Sequence, residues 1–274
     1  MEGRAPFGWL LGVFWCLLSP GPVQANGDTP RPDLAREQRL AEQTVDAILD
    51  GEPVWLQAER HRFLAIFTEP AIQPARGGII LLHGRGMHPD WPNVIHPLRT
   101  ALAERGWYTL SLQMPVLGKD ATYYDYVAIL PAAVPRIEAG IRFLARRGIR
   151  PRVLLAHSCG VHMAMAWVRD HGAHGIDAFV GIGMGATDKG QPLLEPLPLD
   201  RLGVPVLDVY GGNDYPAVRR HAPRRRRAAL QADPASRQIE IPGAGHYFVG
   251  EADALLDTIV GWLDQIHRET AQPR

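Results

Sequence analysis

Apolar and polar positions fall along the chain in two rhythms. Residues 33–51 carry Leu34, Ala41, Val45 and Ile48 or Leu49 on one stripe, with Gly51 at the end, which predicts an amphipathic helix. Two short strands are predicted next, at 54–59 and 63–69, joined by an Arg-His turn as an antiparallel pair. Six apolar runs then recur at 78–83, 108–113, 153–157, 178–183, 204–210 and 238–241, each short, unalternating and bounded by Gly or Pro. A strand that is apolar on both sides has to be covered on both faces, so these runs read as parallel strands inside a layered sheet. Helices are predicted between them at 94–105, 136–147, 159–169 and 252–267. The third is apolar on nearly every side and is expected to be buried. The last repeats Leu255, Leu256, Ile259, Trp262, Leu263 and Ile266 at helical spacing. Six strand–helix repeats behind an antiparallel pair predict one three-layer α/β domain over 26–274, with no internal repeat and no linker.

Composition narrows the classes. The 274 residues are 46% hydrophobic and 21% charged, with 29 basic and 29 acidic side chains. That excludes a disordered tail, a collagen-like repeat and a disulfide miniprotein. The neutral balance argues against nucleic acid as a partner. No apolar run reaches the about 18–20 residues that span a bilayer. Residues 1–25, MEGRAPFGWLLGVFWCLLSPGPVQA, carry Arg4, an apolar run over 7–18, a Ser-Pro-Gly-Pro break and a small-residue ending at Ala25. This is the pattern of a signal peptide cleaved after Ala25, and it predicts a periplasmic or secreted protein. Cleavage would remove Cys16 and leave Cys159 as the remaining cysteine, so stability has to come from the core rather than from an internal disulfide.

The residues with chemistry sit at strand ends. Residues 153–161 are an apolar strand, a turn of small residues and a helix start, with Ala156-His157-Ser158-Cys159-Gly160 at the bend. Apart from Ala in place of the first Gly, this fits a nucleophile elbow, in which a sharp turn lifts the serine hydroxyl clear of the backbone. A structural serine in a strand-to-helix turn would look the same, so context has to decide. A serine nucleophile needs a base, and the base needs an orienting acid. Downstream, Val206-Leu-Asp-Val-Tyr-Gly-Gly-Asn-Asp214 and Ile241-Pro-Gly-Ala-Gly-His246 both run from a strand into a glycine-rich turn that ends in a functional residue. Open α/β sheets place their sites just past the carboxyl ends of such strands. Ser158, Asp214 and His246 follow in the order expected of a serine, acid and base triad on such a sheet. Asp188 is the rival acid, and Asp208, inside a strand, is less well placed. Upstream, His83-Gly84-Arg85-Gly86 ends a buried strand. Backbone N–H groups there, from Arg85 or Gly86, can pair with that of Cys159 as an oxyanion hole.

The strings HGRGMHPDWP, LSLQMPVL, LLAHSCG, VLDVYGGND and IPGAGHYF together resemble the α/β-hydrolase superfamily, and within it an exported bacterial branch with no settled reaction. The resemblance covers residues 54–267. It implies an eight-stranded, mostly parallel sheet with the second strand antiparallel, and Ser158, Asp214 and His246 as nucleophile, acid and base. It leaves the reaction open. The first expectation is a serine hydrolase of carboxylic esters, working through an acyl-enzyme on a small-molecule or lipid-like acyl substrate, with no metal or organic cofactor. The alternatives are amide or peptide hydrolysis or acyl transfer by the same triad, or a silent binding protein of the cell envelope.

The surroundings are read from composition. Residues 185–201, with Pro192, Pro196 and Pro198, form a stiff apolar flap rather than a cap domain, hence a minimal lid. The flap is either a connecting loop or one wall of an acyl pocket, with 118–126 and its Tyr123, Tyr124 and Tyr126 as the other wall. An open site of this kind suits short or medium acyl groups. His88 and Trp91 are expected on its rim. Cys159 reads as a small packing residue, and the pairs His157/His162 and His171/His174 do not read as metal ligands. The run Arg219–Arg227 reads as a solvated helix face, or alternatively as a docking patch for an anionic envelope surface.

Overall fold

A computed structural model of the chain describes residues 1–2 and 30–271. From residue 3 on, the expected signal peptide lies outside the described residues. No helix among the described residues is long and apolar enough to cross a membrane.

Eight strands form one sheet: β1 Glu52–Ala58, β2 His61–Thr68, β3 Gly77–Leu82, β4 Trp107–Leu112, β5 Arg152–His157, β6 Ala178–Ile182, β7 Val206–Gly211 and β8 Arg237–Ile241. They stand in the order β1-β2-β4-β3-β5-β6-β7-β8. Strand β2 runs antiparallel to both neighbours, β1 and β4, and the remaining pairings are parallel. The helices are α1 Leu34–Ala47, α2 Ile95–Glu104, α3 Tyr123–Val127, α4 Val134–Arg146, α5 Cys159–His171, α6 Pro216–Ala232 and α7 Ala252–Ala271.

The unalternating strands have the reason expected of them. In β3, Ile79 and Leu81 join one core with α2 and α7, while Ile80 and Leu82 join the other with α4 and α5. Helix α5 is buried from Cys159 to Val168, in accord with its apolar surface all round. Helix α1 ends at Ala47, before the expected Gly51, because Ile48 turns into extended backbone. Helix α3 is an addition to the sequence reading, and helix α6 extends the helix face read at Arg219–Arg227 to Pro216–Ala232. Helix α3 is five residues long and is set by a capping box between Thr122 and Asp125, which is too short for a periodic signal. Helix α6 hides its stripe among arginines: its buried positions are Val218, Ala222, Arg225 and Ala229, spaced as one helical face.

Arg225 therefore corrects the expectation of a solvated arginine face. It is buried, and its Nε–H donates to Asp208 Oδ2 at 2.8 Å, with Gln238 donating to the same oxygen at 2.6 Å. Arg224, Arg226 and Arg227 remain exposed.

Candidate active site

Strand β5 and helix α5 meet at Ser158, which adopts φ 55° and ψ −119°. A positive φ at a residue with a side chain is strained, and such strain persists only where the surroundings hold it. Here Ser158 N–H donates to Ile182 O at 2.9 Å, tying the bend to β6. The next turn needs glycine, because a Cβ at Gly160 would lie 2.6 Å from Leu82 O and 2.7 Å from His83 O. The bend aims the serine hydroxyl outward, beside the positive end of α5, whose first N–H groups have no partner within the helix.

The turns after β7 and β8 bring the other two residues to it. Ser158 Oγ–H donates to His246 Nε2 at 2.8 Å. On the far side of the ring, His246 Nδ1–H donates to Asp214 Oδ1 at 2.7 Å. Both residues are buried, and Tyr215 N–H donates to the same Asp214 oxygen at 2.6 Å. The close approach depends on Gly183 at the end of β6: a Cβ there would lie 2.8 Å from His246 Cε1 and 3.0 Å from its Nδ1.

Around this core the supporting histidines are neutral. His157 Nε2–H donates to the backbone carbonyl of His246 at 3.0 Å, and burial pushes its pKa down to about 3. His83 accepts Met114 N–H on Nε2 at 2.9 Å, so its Nδ1–H donates to Gly84 O at 2.8 Å, and burial lowers its pKa to about 3. That bond turns the Gly84 carbonyl toward His83. Since the peptide is trans, the N–H of Arg85 points the opposite way. The Gly86 carbonyl accepts from Arg36 Nη2 at 3.1 Å. The orientation of the Arg85 N–H makes it the candidate to pair with Cys159 N–H. Burial pushes the Cys159 thiol up to about 12, so it is an uncharged packing group.

Asp188 stands elsewhere than a rival acid would. Its carboxylate accepts Arg85 Nη1–H at 2.5 Å and Nη2–H at 2.8 Å, and also Tyr123 N–H at 2.6 Å. It thus bolts the 185–201 flap to the Arg85 loop and to α3. His162 adds a second tie, donating from Nε2 to Ala186 O at 3.1 Å, with its pKa lowered by burial to about 4.

Ser158 opens into a cleft of about 750 Å³ walled by Arg85, Met87, Tyr123, flap residues 186–193, Tyr215 and Tyr247 among others. Tyr123 is on this wall as expected, and its hydroxyl accepts the N–H groups of Leu194 and Glu195. Tyr124, His88 and Trp91 are not on it, which corrects the expected rim. His88 Nδ1 instead accepts Asp90 N–H at 3.3 Å and lies 3.4 Å from Thr44 Oγ1, while its ring meets the Trp91 edge; the chain has already turned away toward α2. Among the described residues, no group of three or more His, Cys, Asp or Glu stands together to hold a metal ion.

Two aromatic residues went unread in the sequence although each directly follows a triad candidate. The Tyr215 ring stacks on His246 at 4.2 Å and 21°, and the Tyr247 ring meets it edge-on at 5.1 Å. A ring face over an imidazole favours its protonated form through the ring quadrupole, by about 0.5–2 kcal/mol. Tyr215→Ala is therefore expected to slow reaction of Ser158 with a fluorophosphonate about five- to tenfold. Tyr215→Phe, which keeps the face, is expected to restore most of the rate. Equal loss in both variants would assign the effect to the hydroxyl instead.

A family model described as a protein of unknown function (DUF3530) matches residues 19–135 and 127–265. No curated protein matches in sequence. Solved structures match over most of both chains. An alpha-beta serine hydrolase homologue from Coxiella burnetii is 18% identical with a TM-score of 0.58, covering 78% of this chain and 97% of its own. Est1E from Butyrivibrio proteoclasticus is 15% identical with a TM-score of 0.59, covering 80% and 99%. XC6422 from Xanthomonas campestris, described as a serine hydrolase without lid, is 15% identical with a TM-score of 0.56, covering 82% and 98%. The architecture is that of the α/β-hydrolase fold.

Proposed function

We propose, from the premise that the chain belongs to the DUF3530 family of proteins of unknown function, that it is a serine hydrolase cleaving carboxylic esters of short or medium acyl chain. The observation that carries this reading is the continuous hydrogen-bond chain from Ser158 Oγ through His246 to Asp214, at 2.8 and 2.7 Å, opening into the cleft. His246 takes the serine proton as Oγ attacks the acyl carbonyl. The N–H groups of Arg85 and Cys159 receive the oxyanion, a role worth about 2.7–4 kcal/mol per donor in comparable enzymes. His246 then protonates the leaving alcohol and later activates the water that frees the acid, while Asp214 keeps Nδ1 protonated throughout. The signal pattern at the N-terminus supports an exported enzyme.

The acyl preference rests on the flap. Between β6 and β7 the chain forms loop and one short 3-10 turn, Leu199–Arg201, with no helical cap to build a long tunnel. In a series of p-nitrophenyl esters, turnover is expected to peak at acetate to hexanoate and to be lost with Ser158→Ala. A maximum at palmitate, or turnover that survives in the alanine variant, would overturn the reading.

A further inference from the structure

The charges on the cleft wall do not balance. Asp188 is the one carboxylate among the lining residues, and both its oxygens are occupied by Arg85 and by Tyr123 N–H. Arg85 is correspondingly held in a bidentate pair with Asp188. Two further cations line the same cleft, Lys189 from the flap and Arg220 from α6. Both side chains are exposed, and among the described residues neither has a carboxylate partner. The first turn of α6 carries no acidic residue to offset them. His221, beside Arg220 on the wall, is held below its usual pKa by burial and by the neighbouring arginines, so it is neutral at pH 7 and adds no charge of either sign. The rest of the lining is small, apolar or tyrosine, apart from the uncharged amide Gln191.

Hydrolysis of a neutral ester needs none of this. The triad and the backbone donors suffice for the acyl carbonyl, and unpaired cations on the wall repel nothing that a neutral substrate carries. A cleft lined by one sign of charge instead concentrates ligands of the opposite sign and aligns them as they enter. We propose that the substrate is an ester whose acyl part ends in a carboxylate, a half-ester of a dicarboxylic acid, and that Lys189 and Arg220 hold that carboxylate while Ser158 attacks the ester carbonyl. This inference rests on the serine hydrolase reading above and names its substrate class. Water adds across the acyl–oxygen bond in the two-step cycle, so the products are the dicarboxylic acid and the alcohol, with no other reactant.

The test uses the mature chain and two esters that differ in one charge, mono-p-nitrophenyl glutarate and its neutral methyl ester. The half-ester is expected to have a kcat/KM at least about tenfold higher, carried by KM, with the ratio falling as salt is raised. In the double variant Lys189→Met, Arg220→Met the ratio is expected to fall to about one. The charge-keeping swap Lys189→Arg, Arg220→Lys is expected to retain it. Arg226→Met with Arg227→Met, exposed positions off the cleft, controls for overall charge and is expected to leave the ratio in place. A second readout needs no turnover: glutarate itself is expected to slow fluorophosphonate labelling of the wild type and not of the double methionine variant. A wild-type ratio of one, no protection by glutarate, or an equal drop with the two off-cleft arginines would overturn the proposal. Should the folded protein neither label nor cleave either ester, it is the serine hydrolase reading that fails.

Discussion

Under the proposed triad, Asp214→Ala is expected to slow phosphonylation of Ser158 by about 10⁴-fold while leaving the protein folded, the size that loss of the acid has in serine triads. The size follows from what the carboxylate does. It accepts His246 Nδ1–H at 2.7 Å in a buried setting, so it both selects the tautomer with a free Nε2 and offsets the charge that the ring gains when it takes the serine proton. Water cannot replace it in full, because Gly183 and Tyr215 close around the pair. Asp214→Asn is expected to lose less. Tyr215 N–H donates to Oδ1 at 2.6 Å, which keeps an amide oxygen, rather than its NH2, turned toward Nδ1. The tautomer would then survive and only the charge would be lost. Labelling rates for the three proteins, with circular dichroism to show that each is folded, check the ranking. Retention of the wild-type rate to within tenfold in Asp214→Ala would move the acid elsewhere. Asp188, engaged with Arg85, would become the next residue to replace.

Stability is expected to fall steeply between pH 6.5 and pH 4. His83, His157 and His162 are buried, and each donates one N–H to a backbone carbonyl that shapes the site: Gly84, His246 and Ala186. Burial lowers their pKa values from 6.5 to about 3, 3 and 4. The sign follows from linkage. Above pH 6.5 these groups are neutral in both states and impose no cost. Below it the unfolded chain takes up three protons that the folded chain refuses, so stability drops until the folded values are reached. Three such groups together cost about 4 kcal/mol per pH unit. A domain with about 5–15 kcal/mol in hand is exhausted within a few such units. The carboxylates with lowered values, Asp90, Asp125 and Asp188, titrate below 3.8 and act only at the acid end. Urea midpoints followed by tryptophan fluorescence at pH 7 and pH 5 measure the effect, and His162→Gln is expected to flatten the slope by about one proton. Equal midpoints at the two pH values would show that these rings are not neutral by burial.

The sheet was readable because its strands are buried on both faces. Ile79 to Leu82 are all apolar since odd and even positions enter different cores, and that pattern has no surface explanation. Ser158, Asp214 and His246 were readable because each ends a strand in a turn of small residues, and such turns need those residues for reasons local to the chain. What stayed hidden depends on distant partners. Arg225 looks like one more surface arginine until Asp208 of β7 is placed beneath it. Which way the N–H of Arg85 points turns on His83, whose Nδ1–H holds the Gly84 carbonyl and whose Nε2 accepts from Met114 N–H, far along the chain. His88 and Trp91 follow the Gly84–Gly86 turn in sequence, yet the path of the backbone takes them away from the cleft. The service of Asp188, joining flap to loop, could be read only after the two were folded together.

The most direct test of the central claim is intact-mass and peptide-mapping analysis of the protein after reaction with a fluorophosphonate. The account predicts one phosphonyl adduct per chain, located on Ser158 and absent in Ser158→Ala. A well-folded protein that takes up no adduct, or carries it on another residue, would contradict it.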